Sequence, residues 1–219
     1  MSEEYTRHLE DIIKQMLTPL RNIPLNLVIE GISGYKIIPF DAKDSSDKAV
    51  LENLIKACKL AGEQVNTQGI LRTRPNEVGN DIEPFVRDAL RSLGYKADAP
   101  STKAGVKKSA GYPDIEFIDE FGRTNYLECK TFNIQNVHTT QRSFYLSPSE
   151  NFKITKDAHH FLVSFEISGE PTRSKQTVFR CRSWKLLSVE TLLVDVKYEF
   201  NSDNARLYAK EHLLAEGSL

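Results

Sequence analysis

Near residue 112 the spacing of apolar residues changes period, and that change constrains the fold more than any other feature of the chain. Before it, Val78, Ile82, Phe85, Val86, Ala89 and Leu93 recur every three to four residues. They form one stripe of a helix over about 76–93, which Gly94 can stop. Pro84 sits inside this pattern, so the helix either starts there or is kinked. After the change, Asp114-Ile115-Glu116-Phe117-Ile118 alternates polar and apolar, DEFGRT supplies a turn containing Gly122, and Asn125-Tyr126-Leu127-Glu128-Cys129-Lys130 alternates again. Two alternating runs around a short polar turn predict a β-hairpin. His160–Ile167 predicts a buried strand and Gln176–Arg182 an alternating one.

The first 67 residues read as mostly helical. Leu9, Ile12, Ile13, Met16 and Leu17 fall at helical spacing, and Pro19 and Pro24 break the pattern after Leu17. NLVIEGISGYKIIPF is apolar and broken by glycine, and fits either a strand or a buried loop. Next, a Ser/Asp cap opens a helix with Val50, Leu51, Leu54, Ile55 and Cys58 on one face, ending at Gly62. A Leu/Val run from Leu186 to Val196 and a helix-like tail from about Asn204 close the chain. No repeat or low-complexity segment is present. Helices before, strands between and helices after give an α/β (α+β) class, a mixed central sheet flanked by helices. The expected division is a helical N-terminal extension over 1–70, for dimerisation or DNA contact, and a core over 71–219.

Side chains of a strand alternate faces, so Asp114, Glu116 and Ile118 share one face, and Tyr126, Glu128 and Lys130 share a face of the next strand. A turn centred near Phe121 sets Asp114 across from Glu128. Carboxylates grouped in this way repel unless a cation neutralises them. Their oxygens are hard ligands of the kind Mg²⁺ prefers. A metal there can polarise a phosphate and activate water, and Lys130 can orient that water or offset developing charge.

Tyr112-Pro113-Asp114 followed, past a turn, by Glu128-Cys129-Lys130 resembles the PD-(D/E)XK nuclease superfamily, which includes most type II restriction endonucleases. The resemblance covers about 76–167 and implies a restriction-endonuclease-like fold, with Asp114 and Glu128 as metal ligands and Lys130 as the catalytic lysine. It also implies a metal-supporting glutamate on the preceding helix: Glu83 matches by position, with Glu77 as its rival. Tyr112 and Pro113 shape the entry to the strand, Glu116 is a solvated or supporting carboxylate, and Cys129 packs in the core. His138, His159 and His160 lack metal-ligand spacing and are surface or structural residues. No Walker-type loop, GxGxxG or GxSxG occurs, so no nucleotide cofactor is expected.

Composition narrows the partners. Lys+Arg total 29 against Asp+Glu 30 in 219 residues, which excludes a globally basic binder but not a local basic groove. The charge is in fact uneven. Lys96, Lys103, Lys107 and Lys108 face only Asp98 over 96–113, and Arg173, Lys175, Arg180, Arg182 and Lys185 face only Glu170 over 170–185. Lys103, Lys107 and Lys108 lie in a loop leading into the catalytic strand, placed to grip phosphates. Arg180 and Arg182 share a strand face with Val178, placed to read guanine edges. Residues 133–151 are rich in Asn, Gln, Ser and Thr, which suits base recognition, with Gln141 and Arg142 the leading candidates. Arg72 and Arg74 are phosphate contacts or solvated. No apolar run approaches the roughly 18 residues of a membrane span. The N-terminus lacks a signal pattern, and Cys58, Cys129 and Cys181 form no CxxC pair. A cytoplasmic, intracellular protein is expected.

These readings converge on a Mg²⁺-dependent type II restriction endonuclease acting on double-stranded DNA as a homodimer. Two alternatives stand beside it: a repair or recombination nuclease of the same fold, cutting mismatched or branched DNA, and a non-catalytic DNA-binding protein.

Overall fold

The computed structural model describes residues 2–18, 20–108, 110–140, 142–172, 176–198, 202–207, 209–213 and 215. It resolves into two compact units, one formed by residues 24–192 and the other by residues 1–23 with 193–219.

In the smaller unit, Ser2 caps α1 (Glu3–Met16) by accepting the Tyr5 N–H on its Oγ. The helix follows the expected spacing, yet none of its residues is buried, and Tyr5, Ile12, Ile13 and Leu17 are exposed.

The larger unit is built on a six-stranded mixed sheet. Its strands are β2 (Ile70–Arg72), β3 (Lys96–Asp98), β4 (Ile115–Ile118), β5 (Thr124–Phe132), β6 (His159–Pro171) and β7 (Thr177–Ser188). The spatial order is β2-β7-β6-β5-β4-β3, with β5 and β6 parallel and the other neighbours antiparallel. The short strand β1 (Ile23–Pro24) precedes them in the chain.

The segment that fits either strand or loop by sequence is the helix α2 (Leu25–Ser33), with Leu25 and Ile29 buried and Gly34 closing it at φ +77°. Gly34 supplies the left-handed conformation that other residues adopt at a cost. Helix α3 (Ser45–Gln68) opens as expected, with the Asp44 carboxylate accepting the Ser46 and Asp47 N–H groups. It does not stop at Gly62. A Cβ there would meet Phe165 at 3.6 Å and Cys181 at 3.9 Å, ordinary packing distances, and α3 continues past this buried glycine to Gly69. Residues 45–68, grouped by sequence with the N-terminal extension, therefore pack within the same unit as the sheet. Val50, Leu54, Ala57, Cys58, Ala61 and Val65 join its core. A half-buried arginine fixes the front of α3 to the hairpin: Arg123 reaches the buried carboxylates Asp47 at 2.7 Å and Asp119 at 2.8 Å.

Helix α4 (Val78–Ser92) starts before Pro84 and runs through it, burying Val78, Ile82, Val86, Ala89 and Leu90. It packs on α3 and on β5, which sets the next residue after Ile82, Glu83, beside the hairpin. No helix among the described residues is long and apolar enough to cross a membrane.

Candidate active site

The hairpin forms in the expected register. Ile115 pairs with Leu127 and Phe117 with Asn125, and one step further Asp114 falls opposite Glu128. The turn is held by Asp119, whose Oδ1 accepts the N–H groups of Phe121 and Arg123. Strand β5 has a neighbouring strand along each edge, and side chains on both of its faces are buried. Leu127 and Cys129 point into the core with Ile115, Phe117 and Val163, while Tyr126 and Glu128 are buried on the other face. An acidic face wetted by solvent is therefore not what β5 presents: Glu128 is only 3% exposed.

Four side chains influence one another electrostatically here. Asp114 Oδ2 accepts the Cys129 N–H at 2.8 Å, which locks its carboxylate to the strand carrying Glu128. Glu128 Oε1 accepts from Lys130 Nζ at 2.5 Å, whereas Glu128 Oε2 is buried with no hydrogen-bond partner. Burial, and then the neighbouring Asp114, push the Glu128 carboxyl up to about 7 against the pull of Lys130 and Lys153. Glu83 is also raised, by burial first and by Asp114 second, with Arg87 at 3.4 Å opposing. Burial works to lower Lys130, but Glu128 and Asp114 outweigh it and hold the ammonium above its ordinary value. The rival Glu77 is exposed and caps the 3₁₀ turn Pro75–Glu77 by accepting the Arg74 N–H.

A divalent cation fits this donor set. An orphaned, buried carboxylate oxygen in a field of like charge costs free energy that a hard cation would offset. Asp114 and Glu128 are the pair that would hold it, with Glu83 behind. Among the described residues no three His, Cys, Asp or Glu side chains are already gathered into a ligand cluster.

The other expected residues are distributed around this centre. Lys103 lies over the Phe152 ring at 5.5 Å. Lys107 is paired with Asp98, and Lys108 is exposed. Arg142 covers the Tyr145 ring at 4.4 Å, and Gln141 lies outside the described residues. On the other flank of the sheet Arg180 donates to the Asn66 carbonyl at 2.7 Å. A register shift at Glu166/Ile167 leaves Arg182 at a β-bulge, which interrupts the alternation between the two arginines. The lysine loop joins β3 to β4 on one side of β5, and β7 lies two strands away on the other. Arg72 is bound by both Asp81 oxygens. Glu116 pairs with Lys156 at 3.1 Å. His159 and His160 are buried, the latter bonded through Nδ1 to the Tyr112 hydroxyl at 2.7 Å.

One residue escapes the sequence argument. Lys153 is buried in the connection between β5 and β6, its Nζ donating to the Gly111 carbonyl. Burial lowers it while Asp114, Glu128 and Glu83 raise it, with a net lowering. The only local signal is its place in Phe152-Lys153-Ile154, a lysine between apolar residues.

A mixed sheet whose hairpin brings half-buried Asp114, buried Glu128 and half-buried Lys130 beside a helix carrying Glu83 defines a nuclease of the PD-(D/E)XK superfamily. The type II restriction enzyme MjaV family matches residues 18–211. Type II restriction enzyme MjaV of Methanocaldococcus jannaschii is 39% identical over 232 aligned positions, which cover 99% of this chain and 98% of that protein. The chain belongs to the type II restriction enzyme MjaV family. No solved structure matches it. Of the readings the sequence left open, membership selects the sequence-specific restriction endonuclease, an endodeoxyribonuclease acting on double-stranded DNA. Type II restriction enzymes generally depend on a divalent metal.

Proposed function

We propose that this endonuclease uses Mg²⁺ held by Asp114 and Glu128, with Glu83 supporting the ion directly or through water. When bound, Mg²⁺ would polarise the scissile phosphate and lower the pKa of water. Asp114, fixed by the Cys129 N–H at Oδ2, and Glu128, fixed by Lys130 at Oε1, offer their other oxygens to the ion. Lys130 Nζ orients the attacking water in line with the leaving oxygen and offsets the charge that develops on the phosphate. Tyr126 and Tyr112, both buried beside the carboxylates, limit access of bulk water. Lys103, Lys107, Lys108, Arg142 and Arg182 contact DNA, with the 133–151 segment toward the bases; Gln141 and Arg180 complete that set.

The enzyme works as a homodimer, because a two-fold site is read most simply by a two-fold protein. The uncovered apolar residues of α1 suit the role assigned to the N-terminal region. A buried, orphaned Glu128 oxygen opposite Asp114 carries the metal assignment. Plasmid DNA incubated with and without Mg²⁺ tests it: the wild type yields discrete fragments only with metal, and Lys130→Ala retains DNA binding but loses cleavage by on the order of 100-fold or more. Metal-independent cutting, or full activity of Lys130→Ala, refutes the assignment.

A further inference from the structure

Among the described residues Lys153 is the one lysine or arginine that is buried, at 3% exposed. A lysine ammonium is seldom buried unless something compensates it. It belongs to no helix or strand, so nothing in the regular architecture requires it there. Its Nζ donates to the carbonyl of Gly111, three residues before Asp114. The surrounding chain is fastened at the same place: the Lys103 N–H donates to the Phe152 carbonyl at 2.9 Å, and the Ala104 N–H to Asn151 Oδ1 at 3.1 Å. Lys153 thus lines a crevice of about 190 Å³ with Lys108, Gly111 and Tyr112, within electrostatic range of Glu83, Asp114 and Glu128.

Resting on the metal-site reading above, we propose that Lys153 is a resident counter-cation of the Glu83–Asp114–Glu128 cluster. It acts as a positioning residue that keeps the affinity for a divalent cation low until a DNA phosphate enters. The charges support this. Arg87 pairs with Glu83 and Lys130 with Glu128, and Lys153 adds a third positive charge, buried and anchored on the carbonyl of Gly111, three residues before Asp114. Three cations thus match three carboxylates in formal charge without metal, while burial still leaves Glu128 Oε2 without a partner. A divalent ion entering alone makes the site strongly positive, which like charge opposes. A phosphodiester brings the negative charge that offsets it, so metal and substrate favour one another's binding.

Calorimetric titration of the full-length protein with Ca²⁺ alone, without DNA, tests this. Lys153→Gln removes the charge while keeping a donor for the Gly111 carbonyl, Lys153→Met removes both, and Lys153→Arg keeps the charge. Both neutral variants are expected to bind Ca²⁺ more tightly, on the order of tenfold, with Lys153→Arg near wild type. Unchanged or weaker Ca²⁺ binding by the neutral variants overturns the proposal, since a purely structural tether predicts that result. A second measurement needs no variant: with duplex DNA present, and after correction for Ca²⁺ bound by the duplex alone, the wild type binds Ca²⁺ more tightly. Equal affinities overturn the proposal. Asp114→Asn separates the two levels. If it leaves Ca²⁺ binding intact, the metal-site reading fails. If it abolishes binding while Lys153→Gln fails to tighten it, only the role of Lys153 falls.

Discussion

Glu128→Gln should stabilise the metal-free protein at pH 8 while abolishing cleavage. Burial and Asp114 displace the Glu128 carboxyl from an ordinary 4.5 to about 7. The folded chain therefore holds that proton more tightly than the unfolded chain does. Stability is highest below the ordinary value and falls as pH rises through the window from 4.5 to about 7. At about 1.4 kcal/mol per tenfold change, the full displacement corresponds to about 3 kcal/mol at pH 8 and less than about 1 kcal/mol at pH 5. This cost already includes the benefit of Lys130, and a glutamine amide oxygen can still accept the Lys130 bond. Glutamine stands in for the protonated carboxyl, so the variant should gain about 1–3 kcal/mol at pH 8, and the gain should shrink at pH 5. Urea unfolding in EDTA measures it, followed through the fluorescence of Trp184, the single tryptophan, which packs against the core from β7. Added Mg²⁺ should narrow the gap by stabilising only the wild type. A variant less stable than wild type at pH 8, or a gap unchanged between pH 5 and pH 8, would refute the argument that this carboxylate is held against its own electrostatics.

Two stability predictions concern the frame around the site. Arg123→Ala leaves Asp47 and Asp119 buried without their shared cation and should cost about 3 kcal/mol or more, read as a lowered urea midpoint; a change under about 1 kcal/mol would mean that the bridge is dispensable. Gly69→Ala places a Cβ 2.7 Å from Val178 at a φ of +70° and should destabilise by about 1–3 kcal/mol. Gly62→Ala, whose Cβ meets only ordinary contacts at 3.6 Å and beyond, serves as the comparison and should be nearly neutral in the same assay.

The hairpin was legible because a strand has a strict two-residue period: once β4 and β5 are recognised, the pairing of Asp114 with Glu128 comes from counting outward from the turn. The helix that carries Glu83 was legible because Val78, Ile82, Val86 and Ala89 form an apolar stripe, whereas the choice of Glu83 on it came from the resemblance. Helix α2 was not, since Leu25, Val28, Ile29 and Ile32 suit a buried strand as well as a helix, and only packing separates the two. Gly62 suggested a helix end because an isolated glycine weakens a helix; that the helix continues through it, buried against Phe165, is a tertiary fact. Arg180 and Arg182 were placed together by alternation, which a β-bulge breaks without a local signal.

By itself the sequence determined the identities and register of Asp114, Glu128 and Lys130, because those depend on neighbours a few residues apart. Only the tertiary structure decided that this face is buried. Strand β6 covers one edge of β5, β4 covers the other, and the segment after β5 folds back to Gly111 and Tyr126. That return brings Lys153 to Gly111, a contact between residues 42 apart that no local pattern encodes. Burial turns an ordinary acidic hairpin into a site that holds one carboxylate oxygen without a partner, since desolvation acts on the surroundings of a group rather than on its position in the chain.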